Sequence, residues 1–403
     1  MPIPHAPSTH ALRVLVIGAG VGGISAARGL LRDGHDVIVF EQRPEVTPGG
    51  GAVTIWSNGA TVLRQLDVEM DGAGQLISTV RVRTPTGRRI TNVDVTAIVD
   101  RLGEPVRMVP RRVLLERLLD GFPVERIRCN SRAIEVVNTA SGVRIEFADG
   151  SSAEGDVLVG ADGLHSMVRK LVGAPPAKPT GWCSWQGLAT LPDAADNHDA
   201  LMIIGRHGNL GLWPAGGFSV QWWFDLPWSP DFVRPGRPIE MIRSHFAGWS
   251  ETVDHVLSTL TDEDLARSPF PHFRHPIPRA GQGAITLLGD AAHTMPPTLA
   301  QGTNQALLDT MVLCKALADT RHDIAGALRR YENARRHKVM AVSWLTTQQV
   351  SRPEPVLKPA AIIPDRFTTW ALATFLRWTS HRQISAEVSR DLAAATPIPA
   401  VRL

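Results

Sequence analysis

Leu12-Arg13-Val14-Leu15-Val16-Ile17-Gly18-Ala19-Gly20-Val21-Gly22-Gly23, continued by Ile24–Arg32, His35–Phe40 and Glu41, decides the fold. The first apolar run reads as a buried strand, and the glycines break it. Ile24–Arg32 has helical character, and His35–Phe40 is a second strand ending on an acid. Strand, G-x-G-x-x-G, helix, strand and acid within about 30 residues make a dinucleotide-binding unit. Gly18 permits the tight turn, Gly20 lets a pyrophosphate reach the backbone, and Gly23 lets helix and strand pack closely. Glu41 can bind the hydroxyls of an adenosine ribose and would repel a 2′-phosphate, so FAD or NAD fits here and NADP does not.

Further along, Ala284–Leu288 reads as a buried strand. It runs into Gly289-Asp290-Ala291-Ala292-His293-Thr294-Met295-Pro296-Pro297-Thr298-Leu299-Ala300-Gln301-Gly302-Thr303-Asn304. Small residues, a proline pair and a glycine form a tight crossing, and a helix begins near Gly302–Asn304. Asp290, just past a strand end, can accept hydrogen bonds from a sugar or polyol. The helix start offers unpaired N–H groups and a positive dipole end, which suits an anion. Between the two stretches, Gly49-Gly50-Gly51 allows close approach to a ligand. Arg111 or Arg112 opens an amphipathic helix ending at Asp120, where a cation opposes the dipole and makes sense if it meets a phosphate. A third buried strand ends in Asp162-Gly163 and precedes a helix carrying Arg169.

The chain of 403 residues has room for more than one domain, and its formal charge of +3 does not point to nucleic acid or an anionic surface. Cys129, Cys183 and Cys314 lie far apart, show no metal-ligand spacing and read as reduced thiols of a cytoplasmic protein. The N-terminus does not read as a secretory signal. The most apolar span, Ala360–Trp378, holds Asp365, Arg366 and Arg377, so no stable membrane insertion is expected.

Taken together, the motifs Gly18–Gly23 with Glu41, Asp162-Gly163 and Gly289-Asp290 resemble, in the same order, the single-component class A flavoprotein aromatic hydroxylases of the p-hydroxybenzoate hydroxylase type. The resemblance spans most of residues 12 to about 345. It implies an α/β fold. A discontinuous Rossmann-type FAD-binding domain (11–79, 101–175 and 276–345) would carry an inserted antiparallel-sheet substrate domain (80–100 and 176–275), with C-terminal helices in 346–403. Gly18, Gly20, Val21, Gly22, Gly23, Glu41, Gln42 and Arg43 would hold the ADP half of FAD. Arg111 matches the arginine that reaches FAD, Asp162 would lie where FAD and NAD(P)H are sensed, and Asp290 would bind the ribityl or pyrophosphate region. Pro296 would face the flavin, and the amides of Gln301, Gly302, Thr303 and Asn304 would sit near its N1 and O2. The resemblance thus gives Pro296 and the Gly302 backbone the roles at the flavin ring itself, with no side-chain base. The resemblance implies oxygen insertion from O2 through a flavin C4a-hydroperoxide, with NADH or NADPH as transient co-substrate and no metal. One departure is Ala300, where the family has glycine; alanine fits there if φ is negative or mild strain is tolerated.

The segment from about Pro175 to His275 is rich in Trp, Gly and Pro. Ala200–Ile204, Leu210–Trp213 and Phe218–Asp225 read as antiparallel strands. On the last of these, Ser219, Gln221 and Trp223 share a face. Trp213, Gln221, Trp223 and Pro296 are the expected substrate wall, suiting a large, flat, neutral aromatic or polycyclic compound. Trp182-Cys183-Ser184-Trp185 lacks the Trp-x-Trp-x-Ile-Pro signature of flavin halogenases. No base is assigned among Tyr331, His207, His245 and His293, and His293 reads as structural. The basic run Arg329–Lys338 reads as a solvated face. The expectation is a monooxygenase, monomeric or homodimeric, acting on a small organic molecule. The alternatives are an epoxidase, N-hydroxylase or oxidative decarboxylase on the same fold, or a non-catalytic escort protein.

Overall fold

The structure is a computed structural model that describes residues 11–192, 198–278, 281–318, 323–351 and 362–380. The chain runs through β1 (Arg13–Ile17), α1 (Val21–Arg32), β2 (Asp36–Phe40), β3 (Ala52–Ile55), α2 (Ser57–Gln65), β4 (Gln75–Leu76), β5 (Thr79–Arg83) and β6 (Arg89–Asp94). Next come α3 (Val95–Leu102), β7 (Arg107–Pro110), α4 (Arg111–Leu119), β8 (Ile127–Arg128), β9 (Ala133–Thr139), β10 (Gly142–Phe147), β11 (Ser152–Gly155), β12 (Val157–Gly160) and α5 (Met167–Leu171). Then follow β13 (Lys178–Thr190), β14 (Asp199–Ile204), β15 (Asn209–Gly216), β16 (Ser219–Pro227), α6 (Pro238–Phe246), α7 (Glu251–Thr259) and β17 (Phe270–Arg274). The last elements are β18 (Ile285–Leu287), α8 (Asp290–His293), α9 (Gly302–Ala318), α10 (Ile324–Ser351) and α11 (Asp365–Thr379).

A five-stranded parallel sheet in the order β18-β12-β1-β2-β8 organises the first layer. Its central strands are buried almost throughout, so they read as apolar runs without alternation. Because the strands are parallel, the loops leaving β1, β2, β12 and β18 emerge at one end. The glycine loop, Glu41, Asp162 and Asp290 therefore share the rim where the strand order reverses.

The second layer is a seven-stranded mixed sheet, β17-β13-β16-β15-β14-β5-β6. The alternation read from sequence holds in β16. Val220, Trp222 and Phe224 are buried under α6 and α7, two helices the sequence reading did not anticipate. Gln221, Trp223 and Asp225 take the other face. Trp213, Ala215 and Trp223 belong there to one cluster with Trp56, just after β3, and Ala300 of the crossing. The face meant for a ligand thus lies against the crossing that follows β18.

α10 runs unbroken from Ile324 to Ser351. One expectation about it changes. Within its basic run Arg335 is only 3% exposed, not solvated. The physical reason is a buried carboxylate beneath it, described below. Of the segment 346–403 in which C-terminal helices are expected, residues 352–361 and 381–403 lie outside the described residues.

Candidate active site

The glycine loop has the geometry its spacing requires. Gly18 sits at φ +106°, and a Cβ on Gly23 would lie 1.9 Å from the Gly18 carbonyl oxygen. A Cβ on Gly20 would meet nothing within 4 Å, so this glycine opens onto free space. Gly22 faces Leu288 and Ala306 instead, joining the loop to α9. No side chain caps α1 and its first turn holds no acid, which leaves an anion site at its N-terminus. Glu41 accepts hydrogen bonds from the amides of Ala19 and Arg43, each at 3.0 Å. That fixes its carboxylate beside the loop with lone pairs to spare for a diol. Gln42 and Arg43 are exposed.

Of the paired arginines, Arg112 bridges to Glu116 at 2.5 Å in solvent, whereas Arg111 turns inward. Burial lowers the Arg111 pKa, and the Asp290 carboxylate offsets this. The triple glycine lines the same place: the Arg111 amide donates to the Gly51 carbonyl at 3.0 Å, and a Cβ on Gly49 would lie 3.4 Å from Arg111 Cδ. Asp290 is exposed, and its Oδ1 lies 3.9 Å from where a Cβ on Gly302 would stand. Asp162 accepts from the amides of Met167 (2.7 Å) and Val168 (3.2 Å) through Oδ2, while its buried Oδ1 has no partner. Burial raises its pKa, against the pull of these hydrogen bonds.

The crossing after β18 is held by side chains that sequence reading left without a role. Asp309, on α9, accepts from the Gly289 amide at 2.9 Å, from His293 Nε2 at 2.5 Å and from Arg335 Nε at 2.5 Å. Burial would raise its pKa, but the neighbouring His293 and Arg335 prevail and hold it at about 2. The network continues from Arg335 to Gln305 Oε1 (2.6 Å), from Gln305 to Gln301 Oε1 (3.0 Å), and from Asn58 to the same oxygen (3.0 Å). Asn304 accepts from the Trp56 amide at 3.0 Å and donates to the carbonyls of Thr54 (2.9 Å) and Ala300 (2.7 Å). Its side chain is thus a strut between α9 and β3. The amides of Gly302, Thr303 and Asn304 are the first of α9 and lack intrahelical acceptors. Arg169 binds the carbonyls of Ala291 (3.1 Å) and Ala292 (2.9 Å) and clamps α8 from the other side. Burial lowers its pKa to about 10. The available signal for Asp309 was the single carboxylate of this helix, set among the mainly apolar residues Ala306–Ala318.

Two expected details are corrected, and the open question at Ala300 is decided. Pro296 is buried and Pro297, which opens the short 3-10 turn Pro297–Leu299, is exposed. The proline with a free face is therefore Pro297. Gln221 is buried with its carboxamide engaged: it accepts from the Ala52 amide at 2.5 Å and donates to the Trp222 carbonyl at 3.1 Å. It ties the two layers together rather than waiting for a ligand. Ala300 takes φ +49°, ψ +37°, so the strain is tolerated rather than avoided. The left-handed conformation costs alanine about 1 kcal/mol, and the residue packs against the apolar cluster that includes Trp213. Ala300→Gly is accordingly expected to change unfolding free energy by about 1 kcal/mol or less, in the stabilising direction, by urea titration. A loss larger than that would show that the methyl contact outweighs the strain.

Trp213 and Trp223 stand 5.9 Å apart at 50°, with Trp223 the more open. Two residues along β16 on the same face, buried Asp225 is bonded to Ser184, whose Oγ lies 2.7 Å from His272 Nε2. Burial pushes Asp225 up to about 7 and His272 down to about 4.

An open glycine, two uncapped helix N-termini, an inward arginine and an orphaned carboxylate oxygen on one rim fit FAD. A model of the FAD binding domain family matches residues 11–345. This chain belongs to the class A FAD-dependent monooxygenases. It is 32% identical over 335 residues to the FAD-dependent urate hydroxylase of Klebsiella oxytoca, covering 81% of this chain and 87% of that one. It is also 32% identical over 361 residues to 3-amino-4-hydroxybenzoate 2-monooxygenase PtnB3 of Streptomyces platensis, covering 83% and 87%. The crystal structure of Klebsiella pneumoniae HpxO with FAD and uric acid superposes with a TM-score of 0.77 at 26% identity, over 95% of this chain and 97% of that one. The flavin of this monooxygenase supplies the redox and oxygen-activating chemistry. The rim residues described above are the ones that would bind and orient it. Among the described residues no helix is long and apolar enough to cross a membrane, and no cluster of His, Cys, Asp and Glu could hold a metal.

Proposed function

We propose that this monooxygenase hydroxylates a flat, largely neutral aromatic or heteroaromatic compound, with NADH or NADPH as reductant and O2 as the source of the inserted oxygen. The observation that carries the reading is the tilted Trp213–Trp223 pair, in the apolar cluster against which Ala300 of the crossing packs. Half-buried Leu188 and Met202 pack on the same cluster. An aromatic and thioether wall of this kind takes a planar ring and keeps water out, which hydroxylation by a reduced flavin needs.

In this reading residues 11–79, 101–175 and 276–345 hold the flavin, and 80–100 and 176–275 cover it. Gly18–Gly23, Glu41, Arg111, Asp162 and Asp290 hold the ADP and ribityl parts. The first amides of α9 stabilise negative charge on the pyrimidine edge of the ring through the helix dipole. Pro297 presents its free face to the site. Asp225 is on the substrate side of the sheet and titrates near neutrality, which suits proton exchange with a phenol or ring N–H. The relatives named above for urate and an aminohydroxybenzoate support a ring substrate.

The test is NADH and NADPH oxidation by FAD-loaded protein under air, with polycyclic phenols, quinones, indoles and purines, while peroxide is followed in parallel. Substrate-stimulated oxidation with little peroxide and a product heavier by one oxygen atom is expected. Absence of flavin reduction by either nicotinamide, whatever ring compound is added, would sink the reading.

A further inference from the structure

The helix α11 carries an outward stripe that the site does not use. Phe367, Trp370 and Trp378 are 56%, 54% and 49% exposed, and with Ala371 they follow the spacing of one helical face. Ile362 and Ile363, just before the helix, are exposed as well. The opposite stripe, Thr369, Ala373, Leu376 and Thr379, is buried. The helix is firmly seated: Asp365 accepts from the Asn92 amide at 3.0 Å and pairs with Arg89 at 3.0 Å, and Thr369 Oγ1 accepts from the Asp94 amide at 3.0 Å. The aromatic stripe is therefore held outward by a rigid base.

Arginines frame this stripe. The Arg101 guanidinium lies 5.8 Å over the Trp370 ring, Arg366 is exposed beside Phe367, and Arg377 precedes Trp378. Asp365 is neutralised by Arg89. Three half-exposed aromatic rings offer roughly 300 Å², well short of the ~800 Å² per partner that a stable protein interface buries. A narrow row of Trp and Phe bordered by Arg suits the boundary between lipid headgroups and acyl chains, where rings sit at the interface and guanidinium groups meet phosphates. We propose that α11 docks the protein peripherally on an anionic lipid bilayer, with Phe367, Trp370 and Trp378 in the interfacial layer and Arg101, Arg366 and Arg377 on lipid phosphates.

The test is co-sedimentation of the full-length FAD-loaded protein with vesicles of phosphatidylcholine alone and of phosphatidylcholine and phosphatidylglycerol in equal parts. Binding to the anionic vesicles that weakens with added salt is expected. Phe367→Ser combined with Trp370→Ser and Trp378→Ser should lower the partition coefficient about tenfold or more, and Arg366→Glu about tenfold. All these residues are on the surface, so flavin content and nicotinamide oxidation should stay unchanged and report folding. No binding to either vesicle overturns the proposal. So does a concentration-dependent dimer, seen by sedimentation velocity, that the aromatic substitutions dissociate; the stripe would then be a contact between copies.

Discussion

Asp309→Ala is expected to give a protein that purifies with little flavin and unfolds about 3–5 kcal/mol more easily. Asp309 is buried and bonded to Arg335, His293 and the Gly289 amide. Removing it strands a guanidinium that is 3% exposed, and an uncompensated buried charge costs that much. It also frees Gly289, which sits at φ +60° and aims Asp290. The measurements are the absorbance ratio of flavin to protein after gel filtration and a urea titration. The double variant Asp309→Leu with Arg335→Met removes both charges and should recover stability relative to Asp309→Ala, without recovering flavin. An Asp309→Ala protein that keeps its full yellow colour would show that the Gly289 turn stands without this support. The pH sign follows from the depressed pKa. The contribution of Asp309 is complete above the ordinary carboxylate range and is lost as pH falls from about 4 towards about 2.

Asp225 shows the opposite linkage, and Asp225→Asn is expected to stabilise the fold at alkaline pH. Its pKa is raised from 3.8 to about 7 because burial opposes the charged form, with Ser184 only partly offsetting this. Between those values the native state holds a proton that the unfolded chain releases, so stability falls as pH rises from about 4 to about 7 and is flat beyond. The shift corresponds to about 4 kcal/mol at most. Asparagine accepts the same hydrogen bond from Ser184 and never ionises. The variant should therefore exceed the parent by a few kcal/mol at pH 8 and approach it near pH 4 in urea titrations. A difference that is the same at both pH values would exclude a buried, titrating Asp225. If Asp225 also exchanges a proton with substrate, the stabilised variant should lose the pH dependence of its turnover.

How much of this was legible beforehand depended on the range of the interactions. The cofactor half rests on short-range rules. Gly18, Gly23 and Glu41 do their work within one β-α-β unit, so spacing alone exposed them, and the left-handed Gly18 is the expected consequence. The same holds for the inward and outward faces of β16, because alternation is a local property of a strand. Local rules failed where the partner lies far away in sequence. Arg335 read as one member of a solvated run, yet its carboxylate is 26 residues away on a crossing helix. Gln221 read as a ligand contact, yet it is spent on Ala52, 169 residues earlier. The choice between Pro296 and Pro297 turned on how the crossing packs, which a Pro-Pro pair does not specify.

The sequence by itself therefore determined the dinucleotide unit, the order of the three motif strands, the two faces of the Trp-bearing strand and the kind of group the chain binds. These follow from glycine sterics, residue periodicity and helix-terminus electrostatics, all acting between residues close in the chain. Only the tertiary structure decided that Asp309 and Arg169 brace the Gly289–Asp290 turn, that Arg335 is buried, and that Asp225 stays buried near neutral pKa. Each of these depends on desolvation and on partners supplied by separate elements, and neither quantity exists until the two layers close on each other.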